Sequence, residues 1–141
     1  MSEESDETIN TLLEDAVRFH GHLGPFLILG LKAGLLANKV LGKDYFKTKV
    51  TIETRLKPPY SCFIDGIQVA TGCTMGKMNI EVRDGDPISV KFTKDNKTLE
   101  VKVKREVLKN LEDMRTEEDA KRKAIEVMRK SSNELFEIVD L

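Results

Sequence analysis

The sequence contains few of the residues that most often mark a function. Its 141 residues include no Trp, two Cys and two His. Two cysteines are too few for the disulfide scaffold of a small secreted domain. Lys and Arg number 23 and Asp and Glu 24, so the net charge is -1. Because phosphate binding requires a basic excess, this balance argues against nucleic acid as the main partner. The positions of the four Cys and His residues therefore become the main question.

Long apolar runs are also absent. The most apolar stretch, residues 23–41, contains Lys32, Asn38 and Lys39, so we expect it not to cross a membrane. The chain starts with an acidic segment that has no apolar region, so we expect no signal peptide and a cytoplasmic location. A length of 141 residues with 40% hydrophobic residues fits one domain, 1–141, with a real core.

Several common catalytic motifs are missing. The sequence has no H-E-x-x-H, no G-x-S-x-G and no GxGxxG after a strand. The H-x-H pair of amidohydrolases belongs to barrels of about 250 residues, which is longer than this chain. The loop from Gly72 to Lys77 is not a P-loop, because three residues separate its glycines and Met78 stands where Ser or Thr would bind magnesium. The standard hydrolase, dehydrogenase and P-loop classes therefore do not fit.

Apolar spacing predicts two helices at the start of the chain. The first is amphipathic, ends near residues 19–21, and has apolar residues at i, i+3, i+4, i+7 and i+8, namely Ile9, Leu12, Leu13, Ala16 and Val17. The second should begin at Pro25 and end near Leu41, before Gly42. This helix is apolar on nearly every side, so we expect it to be buried, with small residues that let another element approach closely.

The middle of the sequence indicates strands around one short helix. Alternating apolar residues predict a strand over 49–56, stopped by Pro58-Pro59. A helix is expected over 61–70 with Ser61 as its cap. Three strands should follow, joined by two hairpin turns. Their expected positions are 79–83, 87–93 and 98–104, with turns at 84–86 and 95–97.

The last third is predicted to be helical, over 105–114 and 116–130, with a cap at Thr116. The complete pattern predicts an α+β fold. An antiparallel sheet packs with a buried central helix and with C-terminal helices in a single domain.

His20-Gly21-His22 is the first group of side chains that suggests chemistry. Residues i and i+2 point to the same side of an extended backbone, so both imidazoles can converge on one ion if Gly21 keeps the segment out of a helix. The positive end of the helix starting at Pro25 would keep the rings neutral, which is the form that binds a metal. The alternative is that one histidine caps a helix and the other is exposed.

Cys62 and Cys73 leave three interpretations open. Their spacing does not match the close cysteine pair of a structural zinc finger, but they bracket the predicted short helix. They are two buried inert thiols, a redox pair, or joint ligands of a metal with His20 and His22. The third arrangement is a Cys₂His₂ set, suited to zinc or another divalent ion.

Three polar residues close to these candidates have more than one interpretation. Lys77 either lowers the pKa of Cys73 or holds an anionic substrate, or it is an ordinary solvated lysine. Asp65 and Gln68 lie one helical turn apart, and they either orient a histidine or a bound water or are surface groups. If the site is catalytic, Asp65 and Lys77 are the candidates for proton transfer.

Three separated motifs occur in the order in which one known family has them. They are Phe19-His20-Gly21-His22-Leu23-Gly24-Pro25 with Leu29-Gly30-Leu31, Cys62-Phe63-Ile64-Asp65-Gly66-Ile67-Gln68, and Thr71-Gly72-Cys73-Thr74-Met75-Gly76-Lys77-Met78-Asn79. Together they resemble the FmdE family, named after the FmdE component of formylmethanofuran dehydrogenase. The resemblance spans about residues 9–105, so residues 106–141 are expected to form a C-terminal helical extension.

The resemblance implies a commonly dimeric α+β protein of anaerobes, linked to one-carbon metabolism and methanogenesis. It also implies a metal site built from the His-x-His segment and the two cysteine-bearing segments. Carried over by position, the implied metal ligands are His20, His22, Cys62 and Cys73. Two positions depart from the family. Gly24 stands where many members have a cysteine, and Met78 replaces a common glycine.

We therefore expect a homodimeric metal-binding protein, with zinc as the most suitable ion and no nucleic acid or membrane as partner. The resemblance adds an association with a dehydrogenase complex, and it leaves open whether the chain is itself an enzyme. The second copy is expected because the helices over 25–41 and 116–130 need a surface to cover them. The alternatives are a non-catalytic metal carrier or accessory subunit, and a thiol-redox protein that uses Cys62 and Cys73.

Overall fold

The computed structural model describes residues 6–140 of the chain, and the acidic residues 1–5 lie outside this range. Both helices predicted at the start are confirmed, the second to the residue. The helices are α1 (Asp6–His20), α2 (Pro25–Leu41), α3 (Cys62–Thr71), α4 (Arg105–Leu111), α5 (Glu117–Arg129) and α6 (Ser132–Leu135). The strands are β1 (Lys49–Thr54), β2 (Ile80–Asp84), β3 (Ser89–Lys94), β4 (Lys97–Val103) and β5 (Phe136–Asp140).

The strands form one sheet in the order β2-β1-β3-β4-β5. β1 pairs with β2 in parallel, and the other three pairings are antiparallel. The predicted α+β fold in a single domain is confirmed, with a mostly antiparallel sheet. Val50 and Ile52 on β1 are buried, and their partners across both neighbouring strands are apolar. This apolar centre explains why β1 is paired on both edges.

One of the two predicted hairpins is wrong. Residues 84–86 do not join paired strands, because β1 lies between β2 and β3. β1, α3 and β2 instead form a strand–helix–strand crossover, which is the connection that parallel strands require. The second hairpin is confirmed, since β3 and β4 pair through a turn in which Asp95 has a φ of 54°.

The cap predicted at Ser61 is also wrong. Ser61 has helical dihedral angles (φ -67°, ψ -12°), and its side chain makes no capping hydrogen bond. The chain already turns before α3, since Cys62 N donates to the carbonyl of Pro59 at 3.1 Å. The cap predicted at Thr116 is confirmed, because its hydroxyl accepts from Asp119 N at 3.0 Å.

The last third of the chain is not wholly helical. After α6, the strand β5 pairs with β4 along its whole length. Leu135 and Phe136, at the junction, are buried in the core. The C-terminal segment therefore completes the sheet as well as adding helices, because an edge strand there covers the backbone groups of β4.

The central helix α2 is covered by its own chain. It packs against α3, α5 and the sheet, and most of its residues are buried. It crosses α3 at Gly30 and Gly66, where a Cβ on Gly30 would lie 2.1 Å from Phe63 O and one on Gly66 2.2 Å from Leu27 O. The predicted close approach is confirmed. Burial of α2 therefore does not require a second copy, so that reason for expecting a dimer does not hold. None of the helices between residues 6 and 140 has the length and hydropathy that a bilayer span requires.

Candidate metal centre

The two histidines lie together where α1 ends and α2 begins. His20 is the last residue of α1, and Gly21 leaves the helix with a φ of 106°. That left-handed backbone is open to glycine, and it turns the exposed His22 back toward His20. The ring centroids are 4.8 Å apart, with an interplanar angle of 43°. The sequence-based expectation that the two rings converge is therefore met.

Asp65 orients His20. Its Oδ2 lies 2.6 Å from His20 Nδ1, and the His20 side chain is only 10% exposed. An Nδ1 proton donated to this carboxylate leaves Nε2 as a lone-pair acceptor. Nε2 is buried, and no group among residues 6–140 forms a hydrogen bond with it. A buried polar atom without a partner costs free energy, so the arrangement is incomplete without a ligand or solvent on Nε2.

A chain of hydrogen bonds continues from Asp65 to the loop after α3. Gln68 Nε2 lies 3.5 Å from Asp65 Oδ1, and Gln68 Oε1 accepts from Met75 N at 2.9 Å. Gln68 thus ties the second carboxylate oxygen to the backbone of the loop. Of the two interpretations of Asp65 and Gln68, the structure favours the one in which they orient a histidine.

Cys62 lies on the same face of α3 as Asp65. It is the first residue of the helix, three positions before Asp65, and residues with this spacing are neighbours on a helix surface. Cys62 is partly buried, and that burial raises the pKa of its thiol, with a further increase from the negative charge of Asp65. Cys62, His20 and His22 therefore border the same corner of the molecule.

Cys73 lies beyond the opposite end of α3. The helix has ten residues, and its rise puts Cys73 about 15 Å from Cys62. Cys73 is fully buried, and its Sγ donates to Thr48 O at 3.5 Å. Burial raises the pKa of this thiol, and the opposing effect of Lys77 is smaller. Since a disulfide needs Cα atoms within about 7 Å, the two free thiols do not form one within this fold.

Lys77 lies in the Cys73 region and not beside the histidines. Its Nζ donates to Gly72 O. The same ammonium lies 5.4 Å from the ring centroid of Tyr45 and 5.2 Å from that of Phe46. The cation is therefore engaged by the backbone and by two aromatic faces.

Asn79 is a structural residue that the sequence analysis did not single out. It is 7% exposed, accepts from Thr74 N at 2.9 Å and donates to Tyr45 O at 3.0 Å. It therefore fastens the loop that carries Cys73 to the segment before β1. No periodicity marks it, since its partners lie 5 and 34 positions away in sequence.

The side chains as they stand do not form a complete metal cage. Within the described part of the chain, no three His, Cys, Asp or Glu side chains are grouped so that they could hold an ion. His20 nevertheless fits a metal ligand, because histidines that bind metals almost always donate their other ring nitrogen to a carboxylate, carbonyl or water. The set of His20, His22, Cys62 and Cys73 stays a prediction, and the structure brings the first three to one corner.

An open groove adjoins this corner. It has a volume of about 400 Å³, and His22 forms part of its wall. Its apolar lining comes from Leu23, Pro59, Met114 and Ala120. The imidazole of His22 is therefore within reach of a molecule bound in the groove.

The fold and the motifs together define a small α+β protein with a carboxylate-oriented histidine. The sequence profile described as "FmdE, Molybdenum formylmethanofuran dehydrogenase operon" matches residues 19–139. The chain belongs to the FmdE family. The match continues through β5, beyond the segment over which the motifs indicated the resemblance.

Two similar proteins illustrate how far the likeness extends. A crystal structure of an FmdE-like protein of tungsten formylmethanofuran dehydrogenase, from Syntrophus aciditrophicus, superimposes with a TM-score of 0.65. It is 18% identical and covers 100% of this chain and 77% of that one, which establishes a shared fold. A relative from Archaeoglobus fulgidus, named a probable S-adenosyl-L-methionine-binding protein, is 35% identical over 74 residues. Those residues are 51% of this chain and 20% of the relative, so the chain spans about a fifth of its length.

Proposed function

We propose that this FmdE-family protein binds one divalent metal ion, with zinc as the best-suited ion, through His20, His22 and Cys62. The observation that carries the proposal is the buried Nε2 of His20, which has no hydrogen-bond partner in the described range while Nδ1 is held by Asp65. Nitrogen and sulfur donors together suit zinc better than hard, oxygen-seeking cations. Since no three donors of residues 6–140 are grouped in the present arrangement, binding requires the side chains of His22 and Cys62 to rearrange around His20.

Cys73 remains the predicted fourth ligand. Its distance along α3 and its bond to Thr48 O make it the least supported member of the set. Three protein ligands would leave a coordination position open for water or substrate, whereas four would close the site. An open zinc position lowers the pKa of bound water and polarises carbonyl groups. The groove beside His22 favours the open form, because it gives a substrate access to the ion.

The family supports a role connected with formylmethanofuran dehydrogenase and one-carbon metabolism in anaerobes, in which the chain is an accessory component that associates with the dehydrogenase. In this role Asp65 positions His20. Proton transfer by Asp65 or Lys77 stays a prediction. A non-catalytic metal carrier is the competing function, and a closed four-ligand site would favour it.

The test is a competition titration with zinc alone on the full chain. We expect His20→Gln and Cys62→Ser to lose most of the bound zinc, with thermal midpoints of the metal-free proteins close to wild type. Cys73→Ser is the matched control for Cys62→Ser. Loss of zinc in Cys73→Ser would extend the ligand set to Cys73, and retention would restrict it to three. Wild-type affinity in His20→Gln would contradict the proposal.

The proposal also includes a homodimer in the cytoplasm, as the family resemblance implies. Exposed aromatic and methionine side chains remain on the single chain, Phe46 at 76% and Met78 at 84%. Multi-angle light scattering at several protein concentrations measures the association. A mass of 15.9 kDa at every concentration would remove the dimer from the proposal.

A further inference from the structure

A second cavity lies between the end of β1 and α4. Its volume is about 310 Å³, which is at the lower end of the range for small-molecule sites. Ile88 and Leu108 give it an apolar floor, and they are 2% and 8% exposed. None of its lining residues belongs to the histidine site, so a ligand here would be separate from the metal.

Arg55 is held in place at the wall of this cavity. Its guanidinium carbon lies 4.8 Å from the ring centroid of Tyr60, and its NH2 atom lies 3.8 Å from Asp86 Oδ2. The side chain is still 45% exposed. An arginine that is already stacked loses less side-chain entropy when it binds an anion, and its planar fork matches a carboxylate or phosphate.

Two more cations border the cavity from α4. Arg105 and Lys109 are four positions apart, so they lie on the same face of the helix. Neither side chain forms a hydrogen bond or ion pair with another residue of the described range. Their charges are therefore available to a ligand.

The two carboxylates of the cavity are already engaged. Glu112 accepts from the Tyr60 hydroxyl at 3.1 Å, and Asp86 faces Arg55. Three cations against two carboxylates leave a net charge of +1 around the cavity. The uncompensated positive charge lies with Arg105 and Lys109.

We propose that this cavity binds a small organic anion, in which a carboxylate or phosphate group is attached to an apolar body. Arg55, Arg105 and Lys109 contact the anionic group, while the apolar body lies on Ile88 and Leu108. A bare inorganic anion would use only the first of these two features. The inference does not depend on the metal site.

The experiment is an NMR titration of the full chain, labelled with ¹⁵N, using phenyl phosphate, benzoate and inorganic phosphate as probes. We expect shifts at the amides of 85–88 and 105–112 with at least one aryl anion. That anion should bind about tenfold or more tightly than inorganic phosphate, because it also buries a ring. The tighter of the two aryl probes identifies the preferred anionic group.

The double variant Arg105→Gln/Lys109→Gln should weaken binding of the aryl anion by about tenfold or more, as expected for the loss of two charge-assisted contacts. The matched control is Arg129→Gln/Lys97→Gln, which removes the same charge from exposed positions elsewhere. An equal loss in the control would overturn the proposal, since binding would then follow net charge alone. Inorganic phosphate binding as tightly as either aryl anion, or an absence of shifts at these amides, would overturn it too.

Discussion

The Nδ1 atom of His20 lies 2.6 Å from Oδ2 of Asp65, and this contact joins the end of α1 to the first turn of α3. The two residues are 45 positions apart in sequence. The carboxylate fixes the ring orientation and the tautomer of His20, so that Nε2 points into the corner shared with His22 and Cys62. A metal site there depends on Asp65 even though Asp65 is not itself a proposed ligand.

We expect Asp65→Asn to weaken zinc binding by about ten- to a hundredfold, the usual effect of removing the partner of a metal-binding histidine. An amide lacks the negative charge that holds the Nδ1 proton, so the correct tautomer is less favoured. Competition titration with zinc measures the affinity. In the metal-free protein, the NMR resonances of the His20 ring should also shift.

Asp84→Asn is the control for this substitution, because Asp84 is an exposed carboxylate at the end of β2. It should leave both zinc affinity and the His20 resonances unchanged. Unchanged affinity in Asp65→Asn, together with shifted ring resonances, would mean that His20 orientation has no bearing on metal binding.

Gly66→Ala should destabilise the protein strongly. The new methyl group would lie 2.2 Å from Leu27 O and 2.5 Å from Leu31 N, both backbone atoms that cannot rotate away. The helices α2 and α3 must then separate, and overpacking of this kind costs about 3 kcal/mol. Urea denaturation measures the loss.

Gly76→Ala provides the comparison for Gly66→Ala. A Cβ at Gly76 would have Thr74 Oγ1 as its nearest neighbour, at 3.8 Å, which is an ordinary van der Waals contact. We expect a change below about 0.5 kcal/mol there, as for most surface substitutions. Equal losses in the two variants would show that the helix crossing tolerates a side chain.

Local signals made part of the fold predictable. Pro25 and Gly42 bracket an apolar helix, and both ends of α2 were obtained from them. The parallel pairing of β1 with β2 was missed although its signal was present. A strand, a helix and a strand in succession favour a crossover, but the short turn at 84–86 suggested a hairpin. A choice between two pairings depends on tertiary contacts that sequence spacing does not contain.

Residues near the site were predicted to different extents. His20, His22 and Cys62 were identified because their residue types are rare and chemically specific. The distance between Cys62 and Cys73 was not foreseen, since a helix between two cysteines keeps its ends apart as easily as it brings them to one pocket. The cavity bordered by Arg55 and Lys109 had no signal in the sequence, because exposed cations on a strand end and on a helix look like ordinary surface residues.

Lys32→Met should destabilise the packing of α5 on α2. The Lys32 ammonium donates to the carbonyl groups of Val127, Met128 and Lys130 at the C-terminal end of α5. Methionine keeps the apolar stem but leaves these carbonyls without the donor, at a cost of about 1–3 kcal/mol. Thermal and urea denaturation measure the change. Lys121→Met, at an exposed position of α5, should stay near wild type, and a similar loss there would contradict this role of Lys32.

Asp119→Asn should make the stability less sensitive to acid. The backbone N–H of Arg115 donates to the Asp119 carboxylate at 3.0 Å and holds its pKa below the usual value, with a further decrease from Arg122. A carboxyl group whose pKa is lower in the folded state stabilises the fold above its unfolded pKa of about 4. That stability is lost as the pH falls from there through the lowered value.

Wild type should therefore exceed Asp119→Asn in thermal midpoint at pH 7, and the difference should shrink steadily as the pH falls below about 4. Glu126→Gln removes a carboxylate from an exposed position of the same helix and should show no such pH-dependent difference. The measurement is a series of thermal melts between pH 7 and pH 2. A difference between wild type and Asp119→Asn that stays constant over the whole series would mean that the hydrogen bond from Arg115 does not stabilise the charged form of Asp119.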